Sequence, residues 1–533
     1  MTVQVKINER GALRNGRFAF TNKLTLVSEL LQNTRRAGAT QVVIHHDADA
    51  KRLTVIDDGC GIDDFQRLLT LNESGWDEQT AQAEHAFGLG FSKCLYAAGR
   101  VTVTSRGRRL SFQCDKALEQ APLDVVSAPD ADPSLTTIDL NGVDLPRLDQ
   151  MIDRITRGFP IPVVFNDVPQ ARRHALVSRS FTVTGIGSIH LSGMATGEPA
   201  TATALYLQGL PIGHGEQNYY CDHRHVDVIH LDSARFMARM PDRSELIDAQ
   251  EQSKIIHDAV RQLWRAVLED RKRTLPSAEF VERFYAVAVR QRLLHVFDDV
   301  PVVPRQACLM VVGYPNRTDE SEAYLQSPDR HPTREAVESG TTRLARFSPY
   351  GRDEAHATLL YARAVGLTLV NPYLLEPNHW AMRNLRDLDS EGFSVVVSGA
   401  GAAEDFDGLY VCEPVRLCDR IDITQGDHTV SLRDDALFHD GAILYPSGCR
   451  SGDVVKQVSA YRDESEHFDE TACQDDIHHL ERLVRTMRCP DAASMLCCLL
   501  QELPLREYAL LAGKTFRVSL GKSADDTTVE LVS

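Results

Sequence analysis

Residues Arg52 to Ile56 alternate as a β-strand does, and the run ends abruptly in Asp57-Asp58-Gly59-Cys60-Gly61. Glycines at alternate positions let a backbone turn sharply and approach a flat ligand closely. A carboxylate at the end of the strand can accept a hydrogen bond from an exocyclic amine such as that of adenine. Taken alone, the segment also fits a plain Asp-Gly turn.

Two further segments flank it. Upstream, Leu24, Val27, Leu30 and Leu31 recur at helical spacing, with Thr21 or Asn22 as the cap. This helix carries Glu29 and Asn33 four residues apart, hence on one face. A carboxylate and a carboxamide one turn apart can orient a water and complete the oxygen shell of a magnesium ion, although ordinary polar helix faces show the same spacing. Downstream, His85-Ala86-Phe87-Gly88-Leu89-Gly90-Phe91-Ser92-Lys93 opens a second helix. Small residues at a helix start expose backbone N–H groups that can cradle phosphate, or they form no more than a loop.

In this order and spacing the three segments resemble the GHKL superfamily: gyrase, the ninety-kilodalton heat-shock chaperones, histidine kinases and the mismatch-repair protein MutL. Ser74-Gly75 and the strand Thr136-Thr137-Ile138 are similar to further parts of that pattern. The resemblance implies an α+β fold whose N-terminal region is a Bergerat-type ATP-binding sandwich of helices on a mixed sheet. It implies Glu29 as the general base that aligns the attacking water, and Asn33 as the ligand of a Mg2+ ion bridging the ATP phosphates. Asp57 would hold the adenine amino group, assisted by Thr137, with Gly59 and Gly61 shaping the pocket. Residues 72–87 would form a lid, and Gly88 and Gly90 would meet the phosphates. Arg36 departs from the pattern, since many relatives carry Asp before Ala-Gly-Ala-Thr. The lid lacks MutL's threonine-rich motif.

Length and composition set the frame. The chain has 533 residues, 43% hydrophobic and 25% charged, which suits a folded protein of about three to four domains. Its 58 Lys and Arg against 75 Asp and Glu leave a net charge of −17, which weighs against non-specific nucleic-acid binding by the whole surface. No apolar run reaches the ~20 residues of a membrane span, and Met1 to Arg14 contains no signal-peptide core. The 12 cysteines show no paired C-x-x-C spacing. A cytoplasmic protein with reduced thiols and no membrane contact is expected.

Three regions are expected: the ATP-binding domain at 1–143, a transducer-like α/β middle domain at 144–273, and a mixed α/β C-terminal region of unknown role at 274–533. In the middle, strands are expected at Phe181 to Thr184, Ala204 to Gln208 and Val226 to Leu231, and a long helix over Ser244 to Arg271. The run Leu205-Tyr206-Leu207-Gln208-Gly209 is similar to a strand and turn of the transducer domain in MutL and gyrase-type proteins. Pro241-Asp242-Arg243-Ser244-Glu245 is similar to MutL's Pro-x-Lys-x-Glu, which makes Arg243 the candidate γ-phosphate sensor, Arg239 second, or else a surface arginine. Gly513-Lys514-Thr515 reads as a turn, because Tyr508 stands where a phosphate-binding loop needs glycine. Cys221, His223 and His225 lack the spacing of a zinc motif. The basic residues between Arg261 and Arg273 suit a solvated helix face.

These features support an ATP-binding, ATP-hydrolysing clamp that dimerises with nucleotide and works on a protein client. A MutL- or topoisomerase-like ATPase in DNA transactions is the first alternative. A nucleotide-binding interaction module without turnover is the second, and retention of Glu29 weighs against it. A histidine kinase would need a phospho-accepting histidine helix ahead of the ATPase domain, and only ~20 residues precede the Glu29 helix, which makes it the least expected reading.

Overall fold

The computed structural model describes residues 3–5, 8–16, 18, 25–71, 73, 76, 90–212, 225–239, 245–317, 324–347, 355–523 and 526–533. The chain divides into two compact units, Met1–Val296 and Phe297–Ser533.

The first unit is built on an eight-stranded mixed sheet. Its strands are β1 (Val42–Asp47), β2 (Arg52–Asp57), β3 (Arg100–Ser105), β4 (Arg108–Gln113), β5 (Val125–Ser127), β6 (Thr136–Asn141), β7 (Val163–Phe165) and β8 (Val168–Pro169), in the order β5-β4-β3-β6-β2-β1-β7-β8. Neighbours run antiparallel except β1 and β7, which pair Val42 with Val163 in parallel. The strands over 163–169, which follow the expected boundary at 143, thus extend the first sheet.

One face of this sheet alternates buried residues, among them Leu53, Val55, Ile138 and Leu140. The helices α1 (Glu9–Gly16), α2 (Thr25–Arg36), α3 (Gln66–Leu69), α4 (Ser92–Ala97), α5 (Cys114–Leu118) and α6 (Leu148–Thr156) accompany it. Leu26, Val27, Leu30 and Leu31 of α2 join the sheet residues in one core. Burial of each such side chain stabilises by about 1.5–3 kcal/mol. The expected cap at Thr21 or Asn22, and Leu24, lie outside the described residues.

A second, five-stranded sheet follows: β9 (Thr182–Thr184), β10 (Gly187–His190), β11 (Ala202–Leu207), β12 (Leu210–Pro211) and β13 (Val226–Leu231), in the order β12-β11-β13-β10-β9 with β11 and β13 parallel. Two helices complete the unit, α7 (Ala249–Thr274) and α8 (Ser277–Gln291). A cavity of about 520 Å³ opens between this sheet and α7, lined by Leu205, Asp227, Ile229, Ile256 and Arg290 among others. It lies apart from the three motifs. On α7, Arg265 pairs with Glu269 and Arg273 with Asp270, as on a solvated face.

The second unit holds a five-stranded mixed sheet covered by the buried helix Ala355–Val365, a three-stranded and a four-stranded sheet, and the helices Glu470–Arg488 and Ala492–Glu502. His478 and His479 are exposed on the first of these last two helices, Cys497 and Cys498 on the second. Gly513, at φ +71°, turns the chain into the hairpin Phe516–Ser519 and Thr528–Leu531. The α+β class holds throughout. Among the described residues, no helix is long and apolar enough to cross a membrane.

Candidate nucleotide site

The helix α2 ends because Gly38 takes a left-handed conformation, φ +67°. The N–H of Gly38 then reaches Arg35 O at 3.1 Å and that of Ala39 reaches Thr34 O at 3.1 Å, which satisfies the last carbonyls of the helix. This termination lays Ala37 directly against the loop after β2. Cys60 N donates to Ala37 O at 2.9 Å, and a Cβ on Gly59 would stand 2.6 Å from Ala37 Cβ and 2.9 Å from Ala37 O. The helix motif and the glycine motif are therefore in contact. Asp58 points away from them and ties the loop to the chain after α2, accepting from Thr40 N at 2.7 Å, from the Thr40 hydroxyl, and from Gln41 N at 3.0 Å. These bonds pull its pKa down to about 2.

Asp57 is different. It is 6% exposed, and its Oδ1 accepts from Gly59 N at 3.0 Å. Burial lifts its pKa above the ordinary aspartate value, the Gly59 N–H opposes the shift, and the charge of Asp58 adds to it. A desolvated carboxylate of this kind is a strong acceptor for a donor that arrives with a ligand. Gly61 has φ +78°, and a Cβ there would lie 2.9 Å from Arg106 Nε. Arg106 and Gly107, both at positive φ, form the two-residue turn between β3 and β4. From that turn the Arg106 guanidinium reaches Cys60 O and the Asp63 carboxylate, closing the loop from outside.

The register corrects one expectation. Asp57 pairs with Thr136, whereas Thr137 pairs with Ile56. Because side chains alternate across a strand, Thr136 shares the helix-covered face with Asp57, and Thr137 points to the other face. Thr136 is buried and its hydroxyl lies 2.9 Å from Ser105 Oγ, which in turn accepts from Ile62 N at 3.0 Å. Thr136, not Thr137, is placed to assist Asp57.

The third motif meets the first at Glu29. This carboxylate, 2% exposed, lies against Gly90, where a Cβ would stand 2.7 Å from Glu29 Oε2. Its Oε1 is 3.4 Å from Lys93 Nζ, itself 3% exposed. Loss of one partner from a buried pair costs about 3–5 kcal/mol, because the other charge is left uncompensated. Lys93 belongs to the quoted glycine-rich segment but carries no role in the sequence pattern. Asn33 is half-buried one turn beyond Glu29, and Arg36 is half-buried at the end of α2. Gln32, between Glu29 and Asn33, donates through Nε2 to Gln208 Oε1 at 2.5 Å, which joins α2 to the turn between β11 and β12 of the second sheet.

Gly88, Arg243, Ser74 and Gly75 lie outside the described residues, as do Cys221, His223 and residues 72–87 apart from Glu73 and Trp76. The second candidate, Arg239, pairs with Glu245 at 2.5 Å. His225 pairs with Glu198 at 3.2 Å, and among the described residues no cluster of three His, Cys, Asp or Glu side chains could hold a metal. The oxygen donors present suit Mg2+, which needs only one or two protein ligands when phosphates supply others.

Residues 22–133 match the family model described as histidine kinase-, DNA gyrase B- and HSP90-like ATPase. The match spans α2 to the residues just before β6, with Glu29, Asn33, Asp57, Gly59, Gly61, Gly88 and Gly90 inside it. No curated protein matches the chain.

Proposed function

We propose that this chain, whose N-terminal region is a domain of the histidine kinase, gyrase B and HSP90-like ATPase superfamily, binds ATP with Mg2+, hydrolyses it and uses the cycle as a clamp on a protein client. The observation that carries this reading is the meeting of Glu29 with Gly90 on one side of α2, while the end of the same helix packs on the Gly59 turn that follows Asp57.

The roles follow from the chemistry of each group. Asp57 accepts the adenine amino group in a desolvated setting, with Thr136 beside it. The bare backbone at Gly59 and Gly61 lets the ring plane approach, and by resemblance to the family pattern Gly88 and Gly90 are the residues that would meet the phosphates. The Asn33 side-chain oxygen would hold Mg2+, which when bound would neutralise phosphate charge. Glu29 aligns a water on the γ-phosphorus. As the new P–O bond forms, the bond to the bridging oxygen breaks, ADP departs and the water's proton passes to the carboxylate. Catalysis of this kind rests on positioning and charge stabilisation more than on covalent chemistry. By its resemblance to MutL's lysine, Arg243 would serve as the γ-phosphate sensor of a transducer-like middle region over 144–273, and two copies would associate when ATP is bound. The net charge of −17 and the internally paired arginines of α7 favour a protein client over DNA.

Glu29→Gln is the decisive variant. ATP binding persists while turnover falls by ~10²–10⁴-fold, the range of a lost acid–base group. Wild-type turnover in that variant removes Glu29 from the reaction. Turnover measured with and without duplex DNA, together with sedimentation in a non-hydrolysable ATP analogue, separates the client classes and tests the clamp. Strong, salt-sensitive stimulation assigns the chain to DNA work.

A further inference from the structure

A lysine in the first turn of α4 has no part in cradling phosphate by backbone N–H groups, yet Lys93 is almost wholly buried, with Nζ 3.4 Å from Glu29 Oε1. The other carboxylate oxygen is walled by Gly90. Glu29 is thus held from two sides: a positive charge at Oε1 and a bare backbone at Oε2. A carboxylate removed from water without a cation protonates readily, and a protonated Glu29 could neither accept a proton nor orient a water through a lone pair.

We propose that Lys93 is a positioning residue for ATP hydrolysis, its ammonium keeping Glu29 ionised and locked in one orientation beside Gly90. The inference rests on the ATPase reading and deepens it. Pairing lowers the basicity of Glu29, but little is lost, because phosphoryl transfer through a loose transition state asks the carboxylate mainly to align the water. Among the described residues, the other titratable groups on the elements around Glu29 are Cys94 and Tyr96 on α4, Arg52 and Asp57 on β2, and Arg35 and Arg36 in the last turn of α2; the Tyr96 hydroxyl donates to Leu13 O at 3.0 Å, and burial raises its pKa, so it stays neutral. The Cys94 thiol is enclosed and held far above its ordinary pKa by burial, so it stays neutral and leaves Lys93 as the charged partner on α4.

The test uses the full chain with Lys93→Met, Lys93→Arg, Glu29→Gln and the Glu29→Gln/Lys93→Met double variant. Expected for Lys93→Met are ATP affinity within about threefold of wild type, kcat at neutral pH lower by about tenfold or more, and the acid limb of the kcat–pH profile moved up by at least about one pH unit. Lys93→Arg, which keeps the charge, returns both kcat and the limb toward wild type. An acid limb in Lys93→Met that coincides with the wild-type limb overturns the inference, whatever happens to kcat. Thermal unfolding supplies a readout free of activity: removal of both charges must raise the unfolding temperature above that of Lys93→Met, and equal temperatures overturn the pairing. If Lys93→Met does not fold, a foldable double variant supports the pair, and a double variant that fails as well overturns it. The two readings fail differently. Wild-type turnover in Glu29→Gln refutes the assigned base, whereas a dead Glu29→Gln with an unmoved Lys93→Met limb refutes only Lys93.

Discussion

Of Gly59, Gly61 and Gly90, Gly59 has the closest neighbour to an added Cβ, and Gly59→Ala measures how strictly the two motifs must fit together. The added Cβ would lie 2.6 Å from Ala37 Cβ, 2.8 Å from Asp57 Oδ1 and 2.9 Å from Ala37 O, all well inside the 3.4 Å of an ordinary contact. Two of these neighbours belong to α2's end, which is fixed by its own terminal hydrogen bonds, so the loop rather than the helix must shift. Overpacking of this kind costs about 1–3 kcal/mol. At roughly 2–4 °C per kcal/mol for a unit of this size, the unfolding temperature should fall by about 2–12 °C. The displacement also acts on Asp57, whose Oδ1 loses its bond from Gly59 N, so ATP affinity should fall by about tenfold or more. Gly38→Ala is the control. Nothing lies within 4 Å of that Cβ, so only left-handed backbone strain of about 1–2 kcal/mol is added and affinity stays within a few-fold. Differential scanning fluorimetry and equilibrium titration with ATP read both variants. A Gly59→Ala chain with wild-type unfolding temperature and wild-type affinity would refute the packing argument.

Three other outcomes follow from the same geometry. The folded pKa of Asp57 lies above its unfolded value, so its contribution to stability is lost as the pH rises through the folded pKa. Asp57→Asn should therefore unfold no lower than wild type at pH 7, with that advantage fading in acid, while ATP affinity drops by about 10–100-fold through loss of a charged acceptor. Asp58 is the reverse case: its folded pKa of about 2 lies below the ordinary 3.8, so its stabilisation is present above the unfolded value and lost as the pH falls through about 2. Asp58→Asn should cost roughly 1 kcal/mol at pH 7, a modest figure for an exposed group, and thermal melts at falling pH should converge with wild type. Gln208→Ala removes the bond from Gln32, and under the clamp reading it should lower turnover several-fold with ATP affinity unchanged; wild-type steady-state kinetics would disconnect that turn from the cycle.

Much of the site is legible because its signals are local. The helical period of Val27, Leu30 and Leu31 locates α2, and Asp57 with its two glycines marks where β2 must stop. What escaped depends on pairings distant in sequence. Thr136 and Thr137 are adjacent and chemically identical, so only the register of β6 against β2 says which one shares a face with Asp57. The parallel pairing of Val163–Phe165 with β1 leaves no trace in the sequence, since 115 or more residues separate the two. Lys93 looks like an ordinary helix-surface cation until the fold sets it beside Glu29. A buried lysine leaves no mark in periodicity, because its neighbours Ser92 and Cys94 are buried as well.

The two ends of the first sheet bear on how copies of this chain can associate. At one end β5 spans only three residues; at the other β8 spans two, and Pro169 lacks an N–H to offer. Short rims with a missing donor make poor templates for a visiting strand. Self-association by continuing this sheet into that of another copy is therefore discouraged at both of its rims.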